Sequence, residues 1–221
     1  MQIYIAAVLT IVAVVMGVLQ FWPKTSISQE QPYLFPLVTM LVIDVIALMA
    51  PQPVNMLYKG AIFVGLLIST FAVVFYHLRK MPGYVAIAHL FIVYFVYFVA
   101  FSSSNRLAIP SPIILLVVAY AVLVFWLGRD ELREAQGAFA GYIVLMSLML
   151  WAASEVWVQH QELWATAAFA GAILLVVGST ILLVDKTRRP LPWSILALAI
   201  TFYGGQLLIA WSIWGFGAGT T

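Results

Sequence analysis

Asp44 sits in the middle of an apolar run, VTMLVIDVIALM, and no other carboxylate of the chain lies at comparable depth in such a run. A carboxyl group in those surroundings either moves a proton as a general acid or base or satisfies itself on a neighbouring hydroxyl or cation. Glu155 shares a face with Ser147 and Trp151 near the end of another run, so it either belongs to a site or meets interfacial water. His89 and Tyr97 share a face of a third run, where the imidazole is a titrating group or a neutral, hydrogen-bonded one. Tyr203 and Gln206 stand three apart in ITFYGGQLLIAW, with two glycines between them that admit a close neighbour. Both polar groups need partners, whether from a neighbouring helix or from a substrate. Ser179 and Thr180 can bond the preceding turn of their own helix.

Other chemistries find no support. The chain has no GxSxG elbow, no HExxH, no phosphate-binding loop and no dinucleotide fingerprint. His77, His89 and His160 fall in different segments at no ligand-like spacing, so neither a metal nor another cofactor is expected. Lys24, Lys59, Lys80 and Lys186 lie at the ends of apolar runs or between them, which excludes a buried Schiff-base lysine. With no cysteine, disulfides and thiolate chemistry are excluded too.

The elements that must position these residues are eight apolar stretches, at about 3–22, 33–50, 60–75, 83–101, 113–128, 137–158, 163–184 and 193–216. Each approaches the ~20 residues with which a helix crosses ~30 Å of hydrocarbon, and lipid leaves the backbone no partner outside its own helix. Nine of the ten prolines fall in or beside the connections; Pro36 alone lies within a stretch, in its first turn. The expected fold is all-α: one domain over residues 1–221, a polytopic bundle of eight transmembrane helices. Gly137 and Gly141 form a GxxxG pair, and Gly171, Gly178 and Gly204-Gly205 offer further sites of close helix approach.

If the stretches alternate in direction, Lys24, Arg79, Lys80, Arg129, Arg133, Lys186, Arg188 and Arg189 share one side, against Lys59 and Arg106 on the other. Basic loops stay cytoplasmic, so both termini are expected outside. The first stretch lacks a basic leader and a small-residue cleavage site and reads as a span. At 65% hydrophobic and 8% charged residues, with a net charge of +2, the chain suits membrane lipids as partners and has no clustered basic face for nucleic acid.

The chain also resembles the YhhN-like lysoplasmalogenases of bacteria and animals. The likeness runs from about Tyr33 to Ile213 and rests on LFPLVTML, GLLISTF and YFVYFVAF in the first half. In the second half it rests on GYIVLMSLMLWAASEVW, FAGAILLVVGSTILLVD and ITFYGGQLLIAWSI, in family order. The resemblance implies an eight-helix membrane hydrolase that cleaves the vinyl-ether bond of lysoplasmalogen to a fatty aldehyde and a glycerophospho-headgroup. Tyr142, Glu155, Tyr203 and Gln206 match the family pattern. The family's Lys-Pro pair is Phe35-Pro36 here, its Gly-Asp is Ala72-Val73, its Ser-Asp is Gly178-Ser179, and its histidine of the fourth helix is Tyr94, with His89 five residues earlier.

Asp44, Glu155 and His89 are therefore the candidate catalytic groups, and Tyr142, Tyr203, Gln206 and Ser179 the candidate substrate contacts. The expected function is binding of single-chain ether lysophospholipids, with vinyl-ether hydrolysis by a rearranged site. The alternatives are a non-catalytic lipid-binding or structural subunit with a membrane-protein partner, and an unrelated transporter or channel. The expected location is a bacterial inner membrane. The topology is testable: cysteines placed at Ser28, Gln136 and Thr187 should be shielded from an impermeant thiol reagent in intact cells, and those at Ser103 or Gln161 should react. Labelling of both sets would contradict the alternating arrangement.

Overall fold

The computed structural model describes residues 2–21, 34–51, 55–79, 83–105, 113–129, 136–187 and 193–215. Among them are eight helices: α1 (Gln2–Leu19), α2 (Leu34–Met49), α3 (Met56–Arg79), α4 (Gly83–Ser103), α5 (Ile113–Gly128), α6 (Gln136–His160), α7 (Leu163–Thr187) and α8 (Ser194–Gly215). They match the eight apolar stretches in number and order. Five are long and apolar enough to cross a bilayer, namely α1, α6, α8, most of α3 and most of α7; α2, α5 and the 88–103 part of α4 are shorter apolar helices. Six of the basic residues behind the expected orientation, Lys24, Lys80, Arg106, Arg133, Arg188 and Arg189, lie outside the described residues.

Contacts at the helix ends show that the helices alternate in direction. Asn55 accepts from the backbone N–H of Leu57 and Tyr58, capping the start of α3, and donates to the Ser103 carbonyl at the end of α4, 2.7 Å away. The Lys59 ammonium donates to the Leu48 and Ala50 carbonyls at the end of α2, satisfying acceptors that a helix leaves open where its dipole favours positive charge. Trp214 donates to the Ile46 carbonyl, and the His160 imidazole meets the Ser104 carbonyl. One end of the bundle thus gathers the starts of α3 and α7 and the ends of α2, α4, α6 and α8. Gln161, with φ 52°, is the left-handed residue that lets α7 follow α6 directly. The opposite end gathers the ends of α3, α5 and α7 and the starts of α4, α6 and α8.

Six helices close a ring in the order α2, α3, α4, α6, α7, α8, with α8 returning to α2 and α3. Tyr94, Tyr97 and Phe101 of α4, at spacings of three and four, fill its middle, beside Tyr58, Met40, Met146 and Met149. α5 packs outside on α6 and α7. α1 packs outside on α2 and buries only Ala6 and Ala13.

The glycines act differently from the expectation at one place. A Cβ at Gly137 would meet nothing within 4 Å, and one at Gly141 only Phe91 at 3.9 Å, so the GxxxG pair does not form a close helix crossing. The close crossing is between α7 and α8. There a Cβ on Gly171 would lie 2.7 Å from Ile209 and 2.8 Å from the Gly205 carbonyl, and one on Gly178 would lie 2.5 Å from Thr201. The carbonyl belongs to backbone and cannot turn aside. Gly171→Ala should therefore lower stability in detergent by about 1–3 kcal/mol through overpacking. Gly137→Ala should be neutral or stabilising by up to ~1 kcal/mol, because alanine is the better helix former. Thermal unfolding of the two variants checks the contrast, and equal melting temperatures would contradict the α7–α8 packing.

Candidate functional site: a cavity among α3, α4, α7 and α8

Where α7 and α8 diverge from α3 and α4 they leave a cavity of about 330 Å³, bordered also by the end of α1. Its lining comes from the second halves of α3 and α7 and the first halves of α4 and α8, so it lies in the half of the bundle that holds the ends of α3 and α7. On α8, Ile195, Leu198, Ala199, Phe202, Tyr203 and Gln206 line it at the spacing of a single helical stripe. The wall is predominantly apolar. Among the described residues its polar side chains are Gln20, His89, Tyr94, Ser179, Tyr203 and Gln206, and no carboxylate takes part.

Several of these groups are bound up in holding the helices together. The Tyr97 hydroxyl donates to Gln206 Oε1, Gln206 Nε2 donates to Ser69 Oγ at 3.0 Å, and Ser69 donates to the Gly65 carbonyl at 2.9 Å. That chain ties α4, α8 and α3 at the cavity floor, and Gly65 makes room for the Tyr97 ring. Tyr94 pairs with Ser179, which in turn bonds the Leu175 carbonyl. The Tyr142 ring lies 5.7 Å from that of Tyr94, behind the wall. On the outer side of α7, Tyr120 pairs with Thr180. Gln20 Nε2 donates to the Gly17 carbonyl at 2.6 Å, which leaves two wall groups over. His89 Nε2 is buried and has no partner among the described residues, and the Tyr203 hydroxyl makes no hydrogen bond among them. These two are the polar groups available to an occupant.

The structure therefore brings together four of the seven candidates, His89, Ser179, Tyr203 and Gln206, and sets Tyr142 one layer behind them. Asp44 is not in the wall. It is 5% exposed, and its Oδ2 accepts from Thr70 Oγ1 at 2.8 Å while its Oδ1 has no partner among the described residues. Thr70 adjoins Ser69, so Asp44 sits beside the floor network. Glu155 is buried at the other end of α6, with Trp151 Nε1 donating to it at 3.2 Å and Gln159 Nε2 approaching at 3.5 Å. Tyr94 stands level with Tyr142, so at ~1.5 Å per residue His89 and Glu155 are about 27 Å apart along the axis. They do not share a site.

Sequence reasoning passed over Ser69, Thr70 and Gln20. An adjacent Ser-Thr pair amid apolar residues was the available signal, because each hydroxyl at that depth needs an acceptor. Val73 and Ser179, the positions that the family resemblance marks as carboxylates, are both wall residues, as is Tyr94.

An all-helical chain with five helices fit to cross a bilayer, enclosing an apolar cavity with few polar groups, is an integral membrane protein. This one belongs to the YhhN family, whose model matches residues 31–213. It is 27% identical over 203 residues to proteins described as uncharacterized membrane protein YhhN from Escherichia coli O6:H1 and O157:H7 and from Shigella flexneri. The match covers 89% of this chain and 95% of each relative. No solved structure matches the chain.

The Asp44 pairing can be tested by stability. Thr70→Val leaves both carboxyl oxygens without a partner among the described residues and should cost about 1–3 kcal/mol, whereas combining it with Asp44→Leu should recover much of that loss. Unfolding of the single and double variants in detergent measures the coupling. Additive losses would mean that the two side chains do not depend on each other.

Proposed function

We propose that the chain holds a single-chain lipid of the lysophospholipid type, alkenyl ethers included, with its hydrocarbon tail in the α3/α4/α7/α8 cavity. The observation that carries this reading is the composition of the wall: apolar surface with two uncommitted polar groups, His89 and Tyr203, on opposite helices. A tail needs the first and an ether or hydroxyl oxygen needs the second. In this proposal all eight helices cross a bacterial inner membrane with both termini outside, in keeping with the eight-to-two division of basic residues.

Hydrolysis of a vinyl ether requires a proton delivered to the alkene carbon and a water added to the carbon that bears oxygen; the resulting hemiacetal collapses to aldehyde and alcohol. Among the described wall residues the group suited to exchanging protons near neutral pH is His89, since Val73 and Ser179 stand where carboxylates would be expected. Asp44 and Glu155 lie outside the wall. The proposed activity is therefore binding accompanied by slow cleavage that depends on His89.

Purified protein should retain palmitoyl lysophosphatidylcholine and lysoplasmalogen in native mass spectrometry. Tyr203→Phe should weaken retention roughly three- to tenfold, the worth of about one hydrogen bond. His89→Ala should lower aldehyde release from lysoplasmalogen by about a hundredfold or more. Robust release that survives His89→Ala but is lost in Asp44→Asn or Glu155→Gln would overturn the assignment of the proton-transfer group. No retained lipid, with a protein partner co-purifying instead, would favour a subunit role.

A further inference from the structure

We infer that the cavity takes its lipid sideways from the membrane, through a portal between the end of α1 and the start of α8, an inference that rests on the lipid-binding reading above. α1 is anchored along one side: Ala6 and Ala13, seven apart, form one narrow buried stripe, and its main neighbour is α2. It meets α8 where Trp211 Nε1 donates to Thr10 Oγ1 at 2.9 Å, in the half of the bundle away from the cavity. Further along, both sides border the cavity, the turn after α1 with Gln20 and Phe21 and α8 with Ile195, Leu198, Ala199 and Phe202. The outermost of these also face outward, Phe21 being 37% and Ile195 72% exposed.

The chemistry of that border selects the occupant. Phe21, Ile195 and Leu198 are apolar, so a gap between them is unfavourable for water and favourable for hydrocarbon. A chain sliding in from the bilayer stays in apolar surroundings throughout, whereas one arriving through water exposes every methylene on the way. Once inside, the tail lies among Val73, Val93 and Leu175, with His89 and Tyr203 in the same wall. The portal thus favours membrane-resident amphiphiles with one slender tail over water-soluble substrates.

The absence of cysteine from the chain makes the test direct. Phe21→Cys with Ile195→Cys, reconstituted in phosphatidylcholine vesicles, is bridged by a short bis-methanethiosulfonate linker that reductant removes. Bridging before addition of palmitoyl lysophosphatidylcholine should abolish uptake read by native mass spectrometry, and reductant should restore it. Bridging after addition should trap the lipid. Bridging Thr10→Cys to Trp211→Cys, where the helices already touch, should change neither. Undiminished uptake in the bridged portal pair would overturn the portal, whereas unbridged protein that takes up no lipid would contradict the binding reading itself. If the portal pair fails to bind even unbridged, Gln20→Cys with Leu198→Cys repeats the test at the neighbouring border residues.

Discussion

The structure depends on a constraint that the bilayer imposes on side chains: a hydroxyl or amide inside an apolar bundle must find a partner on another helix or on its own backbone. The chain from Tyr97 through Gln206 and Ser69 to the Gly65 carbonyl meets it with each of the three side chains donating to the next group, and in doing so sets α3, α4 and α8 in register. Tyr94 with Ser179 does the same for α4 and α7, Tyr120 with Thr180 for α5 and α7, and Tyr58 with Ser212 for α3 and α8. Apolar packing alone has little directional preference where lipid tails are as apolar as leucine. These phenols supply the missing specificity, and they explain why tyrosines stand beside Phe101 at the bundle centre.

The same constraint separates what was legible in the sequence from what was not. The helices were legible, since eight apolar stretches of crossing length admit few alternatives and prolines mark their borders. Depth was legible as well: counting along alternating helices already places His89 toward one face and Glu155 toward the other. Lateral neighbours were not. Gly137 and Gly141 have the spacing of a helix-crossing motif, yet the close crossing is at Gly171 and Gly205, because small residues permit an approach without saying which helix makes it. Ser69 and Thr70 likewise reveal their roles only once Gln206 and Asp44 are seen beside them.

Among the candidate site residues, the four that gather on the cavity belong to α4, α7 and α8, the helices joined by the tyrosine pairs. Gln206 and Ser179 are therefore both wall and fastening. A substitution at either loosens a helix as well as changing the surface an occupant meets, so loss of binding at these positions is ambiguous in a way that loss at Tyr203 is not.

Asp44 poses the opposite problem. It stands beside the floor network, yet Thr70 of α3 holds its Oδ2 and its Oδ1 has no partner among the described residues. A carboxyl group placed that way is not part of the cavity wall, so a proton it gave to a molecule there would have to pass through another group. Val73 and Ser179, by contrast, reach the wall and carry no acid. Among the described residues the fold thus encloses an apolar space whose wall holds no carboxylate, and His89 is the imidazole that borders it.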